Sequence, residues 1–120
     1  MSINLDSVSV KDMKLTQLNC GYTKVADLSP LKDIKLTFLY CTGTTVSELT
    51  PLKDMKLMIL HCQDTRVADL SPLKEMPLKE LRCDFKPERD GEILRSIKTL
   101  EQINGKPAKE FWKVVDAKRP

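Results

Sequence analysis

The fold is decided by residues 55–75, which read MKLMILHCQDTRVADLSPLKE. The same frame occurs 21 residues earlier in residues 34–54, and again in residues 13–33. All three copies follow the pattern Leu-x-x-Leu-x-Cys-x-x-Thr-x-Val-x-x-Leu-x-Pro-Leu-Lys. One copy cannot enclose its own apolar side, so the copies are expected to stack into a solenoid.

Each copy predicts one short strand, one turn and one return segment. In residues 55–75, Leu60 and Cys62 alternate inward while Ile59 and His61 point outward. Thr65 falls in the turn that follows the strand. Pro72 removes a backbone donor and fixes φ, which favours a 3₁₀ or irregular return over a full helix.

This frame resembles a leucine-rich repeat of the short bacterial type, and its Val-Ala-Asp-Leu-Ser-Pro-Leu segment resembles the return segment of internalin-like repeats. In that family an asparagine usually occupies the positions of Thr23, Thr44 and Thr65 and bonds to the backbone of the turns. The resemblance therefore implies a threonine ladder here. The short period implies a thin convex side.

The last part of the chain is predicted to be a C-terminal cap with two helices. Pro87 starts the first helix, whose apolar face is formed by Ile93, Leu94, Ile97, Leu100 and Ile103, and Gly105 is expected to stop it. Pro107 opens the second helix, which turns Phe111, Trp112, Val115 and also Val114 to the core. This end resembles leucine-rich repeat proteins of planctomycete bacteria, some of which carry a serine/threonine kinase domain; no kinase motif occurs in the sequence.

The predicted fold is a right-handed α/β leucine-rich repeat solenoid with one parallel sheet of about four or five strands and a two-helix cap. Residues 1–120 form a single domain. Residues 1–12, with Leu5, Val8 and Val10, cover the first copy. Residues 13–83 hold the repeats and residues 84–120 the cap.

The cysteines follow the repeat rather than a metal or disulfide pattern. Cys20, Cys41, Cys62 and Cys83 are spaced by 21 residues. Thiols on successive strands form a line and cannot converge tetrahedrally on zinc, and parallel neighbours are poorly aimed for a disulfide. We expect a ladder of buried thiols, with no metal and no cofactor.

The outward positions of the strands vary while the inward frame is constant, which is typical of a recognition surface. We call nine of them the outward face, the concave side of such a solenoid: Gln17, Asn19, Phe38, Tyr40, Met58, Ile59, His61, Glu80 and Arg82. Apolar side chains gather in its middle, between polar and charged ends. His61 lies beside Cys62 in sequence, but the two point to opposite sides of the sheet. No acid is expected to orient His61, so no catalytic residue is predicted.

The composition limits the classes of partner that the chain is expected to bind. The net charge is +3 and the charges are interleaved, which argues against nucleic acid. No apolar run is long enough to span a membrane, and the N-terminus lacks the features of a signal peptide, so a cytoplasmic location is expected.

We therefore predict a non-catalytic protein-binding or scaffold module that uses the outward face. One alternative is self-association, a homodimer through Phe38, Tyr40 and Ile59. Another alternative is that the chain is the regulatory or sensor fragment of a larger bacterial enzyme such as a serine/threonine kinase. The strict 21-residue period of the repeats also fits an engineered scaffold. The last helix is predicted to have a basic side, which is expected to face solvent or an acidic partner. This basic side consists of Lys106, Lys109, Lys113, Lys118 and Arg119.

Overall fold

The computed structural model describes residues 16–118, so the predicted cover in residues 1–12 lies outside the described residues. Each copy of the frame contributes one short strand. These are β1 (Gln17–Asn19), β2 (Phe38–Tyr40), β3 (Ile59–His61) and β4 (Glu80–Arg82). The cap adds α1 (Pro87–Ser96), β5 (Gln102–Ile103), β6 (Lys106–Pro107) and α2 (Ala108–Ala117).

All strands of the described chain form one six-stranded sheet in sequence order, which is larger than the expected four or five. The first five strands are parallel, and β6 pairs antiparallel with β5. The inner leucines Leu18, Leu39, Leu60 and Leu81 lie in register, each 21 residues after the one before. The sequence period is thus the register of the sheet.

Backbone hydrogen bonds from the cysteines join one rung to the next. The N–H of Cys41 donates to the carbonyl of His61 at 2.9 Å, and Cys20 and Cys62 make the equivalent bonds at 2.8 Å. Cys83 has no further rung to bond to. Its N–H donates instead to Oδ1 of Asn104 at 2.8 Å, so an asparagine side chain from the cap replaces the missing carbonyl.

The threonines hold the turns, as the resemblance implied. The hydroxyls of Thr23, Thr44 and Thr65 donate to the carbonyl of the cysteine three residues earlier, at 2.6, 2.8 and 2.8 Å. Each hydroxyl also accepts from the N–H two residues later, at 3.3–3.4 Å. Each threonine therefore closes the turn of its own rung.

The turn also requires a left-handed residue two positions after each of the first three cysteines. Tyr22, Gly43 and Asp64 have φ values of 58°, 73° and 54°. At Gly43 a side chain is also excluded by space, because an added Cβ would lie 2.5 Å from the ring of Tyr22. Glycine therefore meets both the backbone and the packing requirement there.

The return segments are 3₁₀ helices, as predicted, at Ser29–Leu31, Thr50–Leu52 and Ser71–Leu73. Each contains the frame proline and buries its last leucine completely. The inward positions of the rungs and several cap residues form one continuous apolar cluster. Burying a leucine stabilises the fold by about 1.5–3 kcal/mol, which is why stacking the rungs is favourable.

The first cap helix is shorter than predicted. It ends at Ser96, so Ile97, Leu100 and Ile103 lie beyond it, and Ile103 pairs with Leu81 in the sheet. The open edge of β4 offers backbone partners that a longer helix would leave unpaired, and apolar spacing alone does not distinguish these outcomes. Gly105 does not stop a helix. With Asn104 it forms the two-residue turn between β5 and β6, where both have positive φ.

The second cap helix begins directly after Pro107, as predicted. Phe111 is buried, and Trp112 and Val115 pack partly buried against the core. Val114 differs from the prediction, because 40% of its surface is exposed. This valine points away from the core.

The threonine turn gives a direct stability test. Thr44→Val keeps the volume but leaves the Cys41 carbonyl and the Val46 N–H without their hydroxyl partner, in a place where Thr44 is buried. We expect a loss of about 1–3 kcal/mol in the free energy of unfolding, measured by urea denaturation.

Thr45→Val is the matched control, because that exposed hydroxyl makes only a 3.4 Å bond. It should change the free energy of unfolding by less than about 0.5 kcal/mol. Equal stability of the two variants would contradict the role given to Thr44.

Candidate binding face

The sheet register arranges the outward face in two rows that cross the strands. One row runs through Gln17, Phe38, Ile59 and Glu80, and the other through Asn19, Tyr40, His61 and Arg82. The residues between them in each strand are the inner leucines, which are fully buried. Met58 precedes β3 and is partly exposed at the same face. The structure therefore brings the nine predicted residues together on one side of the sheet.

Exposure differs along this face. Gln17 and Asn19 are exposed, whereas Phe38, Tyr40, Met58, Ile59 and His61 are each partly buried against their neighbours. Side chains that already pack against one another lose little conformational freedom when a partner binds. The middle of the face is thus an ordered apolar surface with a polar end.

His61 has an acidic partner, so the expectation that no acid lies beside it was wrong. Its Nε2 lies 2.6 Å from Oε2 of Glu80 on the next strand, and both side chains are largely buried. The contact is diagonal, because the direct register partner of His61 is Arg82. Tyr40 packs edge-on against the imidazole, with 4.7 Å between ring centroids. The geometry fixes the orientation of His61 within the face.

A shallow pocket extends the face towards the cap. It has a volume of about 170 Å³. Its apolar wall is formed by Phe38, Met58 and Ile59, and its charged and polar wall by Lys79, Glu80, Glu101 and Gln102. Glu101 and Gln102 were not among the predicted site residues, because their segment was interpreted as helix. The Asn-Gly pair at Asn104 and Gly105 was the available hairpin signal.

Arg82 completes the charged end of the face. Its Nε atom is buried and has no hydrogen-bond partner within the described part of the chain. A buried guanidinium N–H without an acceptor is unfavourable.

The cysteines lie on the other side of the sheet, as the repeat register predicted. All four are free and buried, and Cys62 is 1% exposed although it follows His61. Burial raises the pKa of the Cys20 thiol from 9.0 to about 11, and that of Cys41 and Cys83 to about 12. Burial also raises the pKa of Cys62 well above its ordinary value. These thiols are therefore poor nucleophiles near neutral pH.

Thiol chemistry tests the buried ladder. At pH 8, Ellman's reagent should modify the native protein slowly, because a pKa of about 11 instead of 9.0 lowers the thiolate fraction about 100-fold even before access is considered. In guanidinium chloride, which unfolds the chain, all four thiols should react quickly.

A Lys24→Cys variant supplies the control, because Lys24 is exposed in the first turn. One additional thiol should react at once in the native variant. Rapid reaction of all thiols in the native wild-type protein would contradict the buried ladder.

Two further observations concern metals and membranes. Within residues 16–118, no group of three or more His, Cys, Asp or Glu side chains could hold a metal ion. In the same range, neither helix is long and apolar enough to cross a bilayer.

Comparison with known proteins identifies the fold. No protein-family model and no curated protein sequence matches the chain. Among solved structures, internalin C2 from Listeria monocytogenes matches with a TM-score of 0.68 and 23% identity, covering 78% of this chain and 43% of that one. An internalin (inlF) from the same organism matches with a TM-score of 0.71 and 24% identity, covering 86% of this chain and 31% of that one.

The chain spans less than half the length of either internalin. The two matches each cover more than three quarters of this chain, whose repeats consist of parallel strands and 3₁₀ returns. The chain therefore has the internalin-like leucine-rich repeat fold.

Proposed function

We propose that the chain is a non-catalytic protein-binding module whose partner contacts the outward face. The observation that carries this proposal is the apolar cluster in the middle of the face. It consists of Phe38, Tyr40, Met58, Ile59 and His61, which the repeat frame does not require at those positions. A contiguous apolar patch with polar residues around it is typical of an interaction site.

The composition of the cluster suits a binding site. Aromatic residues are over-represented among the side chains that dominate interface energies, and they act best when ordered before binding. Tyr40 is held edge-on by His61, which is itself held by Glu80. The partner would meet a surface whose central side chains are already oriented.

The two ends of the face would select the partner. Gln17 and Asn19 offer neutral hydrogen-bonding groups at one end, whereas Lys79, Arg82 and Glu101 offer charges at the other. Charged groups at the rim of an interface contribute more to partner choice than to affinity. We infer a protein partner with an apolar centre and charged residues on one side only.

The geometry does not favour catalysis by the residues that first suggest it. The thiols lie in the core, and His61 is engaged by Glu80 on the opposite side of the sheet from Cys62. We also propose a cytoplasmic location, since free thiols of this number are typical of a reducing compartment.

The proposal is tested by replacing two aromatic residues. Phe38→Ser combined with Tyr40→Ser should leave the fold intact, because neither side chain belongs to the buried frame. Proteins captured by the wild-type chain would be identified by mass spectrometry, and the dissociation constant of each purified candidate measured. The double variant should weaken true binding by about 30-fold or more, given about 2 kcal/mol for one hot-spot aromatic.

Lys24→Ser combined with Arg66→Ser is the matched control, because both side chains are exposed in the turns rather than on the strands. This variant should bind as the wild type does. A purified partner that binds the aromatic variant with unchanged affinity, or that is lost with the control, would show that the outward face is not the site.

Self-association is separated from partner binding by size-exclusion chromatography with light scattering. A monomer mass of 13.7 kDa for the wild type supports an outward face that is free for another protein. A dimer that becomes monomeric in the Phe38→Ser, Tyr40→Ser variant would show that the partner is a second copy of the chain.

A further inference from the structure

A second apolar surface lies on the cap and shares no residue with the outward face. It is a groove of about 420 Å³ between the β5–β6 turn and α2. The residues that define it are Phe85, Phe111, Val114, Val115, Lys106 and Lys118. Its volume falls in the range of ligand sites in proteins.

The floor of the groove is apolar and consists of aromatic rings packed against one another. Phe85 and Phe111 pack edge to face with 4.9 Å between ring centroids, and Trp112 supports both from behind, at 5.9 and 5.0 Å. Val115 is partly buried beside them. Val114 precedes Val115 on α2 and has 40% of its surface in solvent. An apolar side chain laid into this groove would cover the exposed valine.

The rim of the groove carries charge of one sign. Lys106 and Lys118 border it, and no carboxylate of residues 16–118 lines it. The carboxylate of Asp84, which precedes Phe85, is directed elsewhere and accepts from the N–H groups of Asp64 and Thr65 at 3.1 and 3.4 Å. The two ammonium groups are therefore complementary to an anion placed beside an apolar group.

We propose that this groove binds a peptide segment of a partner protein that carries a large apolar side chain next to an acidic residue. The groove is open to solvent, so it cannot enclose a free alkyl chain as a fatty-acid site must. The groove can accept one apolar side chain of a peptide whose backbone remains outside. Lys106 and Lys118 then contact the carboxylate of the neighbouring acidic residue of that peptide. Two of the residues that the sequence assigned to a basic side of the last helix, Lys106 in β6 and Lys118 after α2, then have a function.

The test uses a blocked hexapeptide in which leucine and phenylalanine are flanked by glutamates. Trp112 is the only tryptophan of the chain and contacts both phenylalanines of the floor, so its fluorescence reports occupancy. We expect a saturable change that weakens as the salt concentration rises. Lys106→Glu combined with Lys118→Glu should raise the dissociation constant about tenfold or more, since two surface ion pairs are replaced by repulsion.

Three controls decide the outcome. Lys98→Glu combined with Lys113→Glu makes the same charge change at exposed positions outside the groove and should leave the dissociation constant unchanged. A peptide with lysines in place of the glutamates should bind at least tenfold more weakly. Octanoate should not compete with the acidic peptide at millimolar concentration.

Val114→Asp places a carboxylate in the groove at a half-exposed position, so the variant should fold, as circular dichroism would verify, and lose the peptide. The Phe38→Ser, Tyr40→Ser variant should bind the peptide normally, which keeps this proposal separate from that for the outward face. Equal binding of the acidic and basic peptides, tight binding of octanoate, or no saturable signal would each overturn the proposal.

Discussion

The structure depends on one backbone hydrogen bond that is repeated between rungs. The N–H of each of the first three repeat cysteines donates to a carbonyl 20 residues later, as Cys41 does to His61. Because the repeats have equal lengths, the bond recurs with the 21-residue period of the sequence. Once the period is fixed, the inner leucines must stack on one another and the outward side chains must align in rows. Core and binding face are therefore consequences of the same constraint.

The end of the stack shows how strong that constraint is. The repeat frame breaks in the fourth copy, yet side chains of the cap satisfy backbone donors that further regular rungs would satisfy. Asn104 accepts from the N–H of Cys83, and Asp84 accepts from the N–H groups of the third turn. Unpaired backbone donors at a buried edge are costly, so side-chain oxygens are placed where backbone oxygens are missing. The cap thus covers the end of the solenoid and also supplies hydrogen-bond acceptors for its backbone N–H groups.

The sequence predicted what the period controls and missed what depends on side chains meeting across strands. The buried leucines, the thiol ladder, the threonine turns and the 3₁₀ returns all follow from repeated positions. The pairing of His61 with Glu80 is diagonal, so it depends on how far each side chain leans along its strand. In the cap, where the repeat stops, the apolar spacing predicted a first helix that is longer than α1. The Asn-Gly pair at Asn104 and Gly105 was the sequence signal for a hairpin at that point.

The measurement that tests the account most directly is amide hydrogen exchange of the cysteine N–H groups. If the rungs form one cooperative stack joined by these bonds, the Cys41 and Cys62 amides should exchange only when the whole chain unfolds. Their opening free energies should then equal the global free energy of unfolding from denaturation. Exchange of either amide at a rate far faster than global unfolding allows would contradict the central role given to the rung-to-rung bond.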